Sequence, residues 1–124
     1  VRLDRVDGLY AVCRLPPDAA VPEWACHGAL WSVTRTPAEL SIVCEASSVP
    51  AGVRAEEPWR GLVVRGPLDF SLTGVMASLS APMAAAGISI FVLSTYDTDY
   101  LLVRDHAFER AIEVLTDAGH VVSR

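Results

Sequence analysis

With 124 residues and 13.3 kDa, the chain has room for one compact domain or two very small ones, and none for a multidomain enzyme. A hydrophobic fraction of 52% and a mean hydropathy of +0.35 exclude a disordered chain, which needs low hydrophobicity and high net charge. A net charge of −5 repels phosphate backbones and argues against a nucleic-acid partner; all ten basic residues are arginine, so no lysine serves Schiff-base or P-loop chemistry.

In chain order, Asp4, Arg5 and Asp7 interrupt the start before any apolar run, so no signal peptide is expected. Residues 9–15 (LYAVCRL) form a predicted strand ended by Pro16, and PEWAC at 22–26 leaves room for little more than one turn of helix. Residues 30–36 and 40–44 read as a strand pair joined through a Thr-Pro-Ala-Glu turn. Cys13, Cys26 and Cys44 are odd in number and form no CxxC pair. They read as buried or half-buried thiols in a reducing compartment, with no metal site.

The second half has the clearer pattern. Residues 59–65 (WRGLVVR) make a strand closed by Gly66-Pro67. From Ser71, the apolar residues Leu72, Val75, Met76, Leu79, Met83 and Ala86 fall at spacings of three and four, one face of a helix. Ser71 or Asp69 suits its start and Gly87 its end, with Pro82 removing one backbone hydrogen bond. Residues 88–94 (ISIFVLS), apolar on both faces, predict a central strand. A turn at 95–98 leads into the strand 100–103. Asp105 is placed as N-cap of a last helix carrying Phe108, Ile112 and Leu115 on one face and stopping at Gly119, before a short strand at 120–123. His106 and His120 flank that helix and are expected at the surface. Residues 70–96 carry no charge, but scattered Ser and Thr with Pro82 and Gly87 make them a helix and a strand rather than a membrane span. The chain is expected to be soluble and cytoplasmic.

The order β-α-β-β-α-β is the ferredoxin-like split unit. The first half reads as a shortened copy. Aligning Glu39 on Asp99 shifts the copy by 60 and Pro16 on Pro67 by 51, so the first half lacks about nine residues where a helix belongs.

For chemistry, the sequence lacks GxSxG, HExxH, Walker and GxGxxG strings, and its three histidines are poorly placed to activate a nucleophile. Asp97 and Asp99 could form an acid/base pair, though two apart on one chain they suit a turn and a strand start. Binding is the stronger reading. Residues 66–74 lead into a helix N-terminus, whose N–H groups suit a carboxylate, while Asp97 or Asp99 offers the opposite charge to an ammonium. Both poles together match a free amino acid. Plain helix capping is the alternative for Asp69 and Ser71.

The segments GPLDFSLTG at 66–74, AAGISI at 85–90 and STYDTDY at 94–100, with WSVTRTPAELSIVC at 31–44, resemble tandem ACT proteins of the CASTOR (GATS-like) type in their small bacterial form. The resemblance covers residues 9–119. It implies an α+β protein of two tandem ferredoxin-like ACT units, the first abbreviated (1–57) and the second complete (58–124). It also implies a non-catalytic regulatory module that binds a free amino acid between the units, without a cofactor or metal. Asp69, Phe70, Ser71, Leu72, Thr73 and Gly74, with Thr95, Tyr96 and Asp99, would line the pocket from the second unit. Ser32 and Val33 would come from the first. Asp99 falls on the acidic position of the Ser-Thr-aromatic-x-Thr-Asp motif and is the expected ammonium anchor, ahead of Asp97. A homodimer or a regulated protein partner fits such a module. Two other classes stay open: a small enzyme acting on amino acids by acyl transfer, and an assembly module with a vestigial pocket.

Overall fold

The computed structural model describes residues 1–69 and 73–123. Its element order is β1 (Arg2–Leu15), β2 (Ser32–Arg35), β3 (Leu40–Glu45), β4 (Arg54–Val64), α1 (Val75–Ala85), β5 (Ile90–Ser94), β6 (Asp99–Arg104), α2 (Phe108–Asp117) and β7 (Val121–Val122). This is an α+β fold. The chain divides into two compact units, Val1–Asp7 with Arg60–Arg124 and Gly8–Trp59, so β1 and β4 each give residues to both. That differs from a division at 57/58, which falls inside the continuous strand β4.

The unit formed by Val1–Asp7 and Arg60–Arg124 follows the βαββαβ order, with one addition. Residues 2–7 of β1 stand between β4 and β7, giving the strand order β7-β1-β4-β6-β5. Arg65 N–H donates to the Arg2 carbonyl at 2.8 Å on one side. On the other, Arg2 and Leu3 pair in parallel with Val121 and Val122. Leu3 is buried in a core with Leu62, Val64, Leu79, Met83, Leu101, Val103, Phe108, Ala111 and Leu115. Leu79 and Met83 are the inward residues of α1, as their spacing requires, and Phe108, Ala111 and Leu115 those of α2.

Three local expectations are corrected. Helix α1 begins at Val75 with Gly74 (φ 78°) as its N-cap, a position expected for Asp69 or Ser71; Ser71 lies outside the described residues. Asp105 opens a 3-10 turn, 105–107, and α2 starts after Ala107. Strand β5 lies at the edge beside β6, with its side chains half-buried or exposed, and is not central. The C-terminus of α1 closes as expected at Gly87: Ile88 N–H donates to the Met83 carbonyl at 2.9 Å and Gly87 N–H to Ala84 at 3.0 Å.

The unit Gly8–Trp59 has strands and 3-10 turns but no α-helix among the described residues. β3 pairs antiparallel with β1 and with β2, around Ala11, Cys13, Ala25, Leu40, Ile42 and Cys44. The residues PEWAC form a single 3-10 turn, Glu23–Ala25. Its hairpin repeats that of the other unit: Arg35 pairs Leu40 as Ser94 pairs Asp99, a shift of 59 at both positions rather than 60. The 3-10 turns after them, Ala46–Ser48 and Asp105–Ala107, keep the same shift.

Candidate functional site

In the larger unit, the loop after β4 and the β5–β6 turn are tied together by one backbone and one side-chain hydrogen bond. Leu68 N–H donates to the Asp97 carbonyl at 2.6 Å, and Thr98 Oγ1 donates to the Val64 carbonyl at 2.5 Å. Gly66 permits this approach, because a Cβ there would stand 3.1 Å from both the Asp97 oxygen and the Leu68 nitrogen. Thr95 closes the turn: its N–H donates to the Thr98 carbonyl at 2.8 Å and its Oγ1 accepts from Thr98 N–H at 3.2 Å. Thr36 does the same for Glu39, at 2.9 and 3.2 Å.

Between loop and turn lies a cleft of about 230 Å³, lined by Leu68, Asp69, Val75 and residues 94–99. Three carboxylates stand in it, Asp69, Asp97 and Asp99, and no basic residue is among the described lining. Asp69 and Asp97 are exposed, whereas Asp99 is half-buried and its Oδ1 accepts from Ser94 Oγ at 2.6 Å. A fixed carboxylate at the wall of an acidic cleft is chemically suited to a cation, an ammonium or a guanidinium. Val75, the first residue of α1, adds the start of that helix, whose N-cap is Gly74, to the same lining.

Of the residues expected to bind ligand, the structure brings Asp69, Thr95, Tyr96 and Asp99 to this one cleft, with Asp97 beside them. Tyr96 is 80% exposed at the turn apex. Thr73 and Gly74 are exposed just ahead of α1 and outside the lining. Phe70, Ser71 and Leu72 lie outside the described residues. Ser32 and Val33 are half-buried on β2 of the smaller unit, where Val33 packs on that unit's own core. Sequence reasoning gave Ser94 and Gly66 no part in the site and reached Thr98 only as a member of the 95–99 turn. The signal for the two hydroxyls was the Ser-Thr-x-x-Thr spacing, and for Gly66 its place as the breaker at the head of the loop 66–74.

No group of three or more His, Cys, Asp or Glu among the described residues could hold a metal. The thiols offer no nucleophile at this cleft. Burial, with Cys44 beside it, pushes Cys13 up to about 12, and burial raises Cys44 too.

A model of the ACT domain family matches residues 54–117, just over half of the chain. This chain belongs to the ACT domain family. A second model, of an N-terminal domain, matches residues 8–52, within the smaller unit. Among curated proteins, the ACT chain is similar to the human cytosolic arginine sensor for mTORC1 subunit 1, 40% identical over 60 residues, which are 48% of this chain and 18% of that protein. The chain thus spans less than a fifth of that sensor, and the likeness is CASTOR-like over that part. Among solved structures, an Agobacterium tumefaciens protein is 41% identical with a TM-score of 0.92, covering 98% of this chain and 91% of that one. The regulatory subunit of aspartate kinase from Thermus thermophilus shares the fold at 12% identity, with a TM-score of 0.61 over 90% of this chain and 93% of that one. No helix among the described residues is long and apolar enough to cross a membrane.

Proposed function

We propose that this ACT protein is a non-catalytic regulatory module that binds a free amino acid, with Asp99 as the anchor of its α-ammonium. The observation that carries the reading is the acidic cleft of the larger unit, where Asp99 is fixed by Ser94 and faces no internal cation among the described lining. The first turn of α1, behind its N-cap Gly74, supplies N–H groups for the ligand's carboxylate. With Asp69 and Asp97 the lining holds two further aspartates, and an acidic cleft favours an amino acid with a basic side chain. The human relative's name as an arginine sensor points the same way. Ser32, Val33, Phe70, Ser71, Leu72, Thr73 and Gly74 enter this reading through the family resemblance alone, as does the organisation into two ACT units divided near residue 57. The module would act in the cytoplasm, as its relative's name implies, by passing the amino-acid signal to a protein partner or a second copy. No His, Cys or Lys is among the described lining to favour the acyl-transfer reading.

A thermal-shift screen of the common amino acids tests this. A ligand at a hundredfold excess over its Kd stabilises by about 2.7 kcal/mol, on the order of 8–15 °C for a chain of this size. Arginine and lysine are expected to give the largest shifts, and their N-acetylated forms none. Asp99→Ala should abolish the shift in a protein that stays folded, and Asp97→Ala should weaken it less. An unresponsive protein at millimolar ligand refutes the sensor reading; hits that survive Asp99→Ala refute the anchor.

A further inference from the structure

The shift of 59 between the two hairpins matches their turns residue by residue: Arg35 corresponds to Ser94, Thr36 to Thr95, Ala38 to Asp97 and Leu40 to Asp99. Ahead of the turns, aligning Pro16 on Pro67 sets Pro17 on Leu68 and Asp18 on Asp69. In the larger unit these positions form the two walls of the acidic cleft.

In the smaller unit the corresponding walls are bridged by an arginine. Arg35, the last residue of β2, donates through Nη1 to the Pro17 carbonyl and through Nη2 to the Ala19 carbonyl at 2.7 Å. The loop is folded to offer both oxygens: Ala19 N–H donates to the Pro16 carbonyl at 3.1 Å, and Ala19 itself packs on that unit's core. Asp18 stands in the chain between the two acceptors, at the place of Asp69. The tie between strand and turn is made by other residues. In the larger unit Leu68 N–H serves the Asp97 carbonyl; Pro17 has no N–H, and the Ala38 carbonyl accepts instead from Arg14 Nη2 at 2.9 Å. Arg14 fastens the β2–β3 turn to β1 and Thr36 closes it, so neither task requires Arg35.

We propose that the smaller unit carries a guanidinium site which the chain fills itself, Arg35 standing there as an internal ligand where the larger unit is open to a free one. Two carbonyl oxygens turned towards one planar cation make a receptor for it, because each bond is charge-assisted and the rigid fork reaches both acceptors at once. Leu40, fully buried at the place of Asp99, offers no carboxylate to an α-ammonium, so this site takes a cationic head group and not a whole amino acid. A capacity of one amino acid per chain follows, and that consequence alone rests on the amino-acid reading of the acidic cleft.

The test empties the site and offers it a free cation. Arg35→Ser installs the residue found at position 94, at an exposed place on the edge strand β2. Whole chains of wild type and variant are titrated with methylguanidinium chloride and followed by backbone amide NMR, at an ionic strength held constant with sodium chloride. Saturable shifts at residues 18–20 and 35–39 are expected in the variant and not in wild type, where Arg35 holds the place. Methylammonium, a cation without the fork, should bind there at least about tenfold more weakly. Shifts at residues 94–99, in either protein, report the acidic cleft and so test the amino-acid reading separately. If Arg35→Ser does not give a dispersed spectrum, Arg35→Thr, with its stronger strand preference, is titrated in the same way. No saturable shift at residues 18–20 in the emptied variant, equal shifts in wild type, or equal binding of methylammonium would overturn the proposal and leave Arg35 as a tether for the loop.

Discussion

Asp4 shows how a charged residue near the start of the chain becomes part of a sheet. Arg65 donates to its two oxygens at 2.6 and 3.2 Å, and Ser123 Oγ donates at 2.6 Å. The Arg65 hydrogen bonds first, and the Ser123 hydroxyl second, hold its carboxyl down at about 2 from the ordinary 3.8. Because the folded value is depressed, the ionised group favours folding: the contribution is complete above about pH 4 and lost as pH falls towards about 2. Asp4→Asn is therefore expected to lower the urea midpoint at neutral pH and to flatten its decline over that acid window. A decline as steep as wild type would show that the Asp4 contacts do not persist in solution. The same residue marks a limit of sequence reading. A stretch of alternating charges and apolar residues at 2–7 does not announce a strand, since its charges are answered by Arg65, Ser123 and Glu109, far away in the chain. The place of Asp99 at the start of β6, by contrast, could be read from its motif, although its bond to Ser94 could not.

Helix α1 illustrates an internal repair. Pro82 has no N–H, so the Ser78 carbonyl, four residues back, loses its helical donor. His120 replaces it: its Nε2 lies 2.9 Å from the Ser78 oxygen, and since a carbonyl only accepts, that nitrogen carries the proton. Its Nδ1 lies 3.1 Å from the nitrogen of Val1, and the side chain is only 8% exposed. A surface histidine was expected there because the sequence shows it flanking α2, and nothing local ties it to a proline 38 positions earlier. His120→Ala should cost about 1–3 kcal/mol by leaving that carbonyl unsatisfied. Pro82→Ala, which returns a backbone donor, should recover part of the loss when combined with it, so a double-mutant cycle of chemical denaturation is expected to give a coupling of about 1 kcal/mol. Additive effects would mean that the histidine acts by packing alone. Strand β5 is the complementary case. Its run of apolar residues predicted burial on both faces, but periodicity reports side-chain faces and says nothing of which neighbour takes the hydrogen bonds. Val92 is 36% exposed at the sheet edge.

At the scale of the whole molecule, the βαββαβ order over residues 54–122 was legible because helix spacing, glycine stops and β-branched runs all agree there. The strands at 9–15 and 30–36 and the single turn at 22–26 were legible too, from their β-rich runs and the shortness of the segment between them. The sharpest departure is the seven-residue start, which the family match at 54–117 does not include and the larger unit does. β7 is two residues long and pairs with β1, not with β4. Leu3 is fully buried against the helices' inward residues. Val121 N–H donates to Val1 and Ser123 N–H to Leu3, at 3.0 and 2.8 Å, while Arg65 N–H donates to Arg2. Removing residues 1–7 would strip these partners from β4 and β7 together and open a cavity at Leu3. A fragment of residues 58–124, complete by its element order, is accordingly expected to lack a cooperative thermal transition. In the intact chain, Leu3→Ala should cost about 2–5 kcal/mol, as much as a core leucine of a helix. One outcome would refute this account: a fragment that melts cooperatively near the Tm of the whole chain. β7 would then have moved against β4 to give the uninterrupted ferredoxin-like order, and the first strand would be an accessory to the unit and not a part of its core.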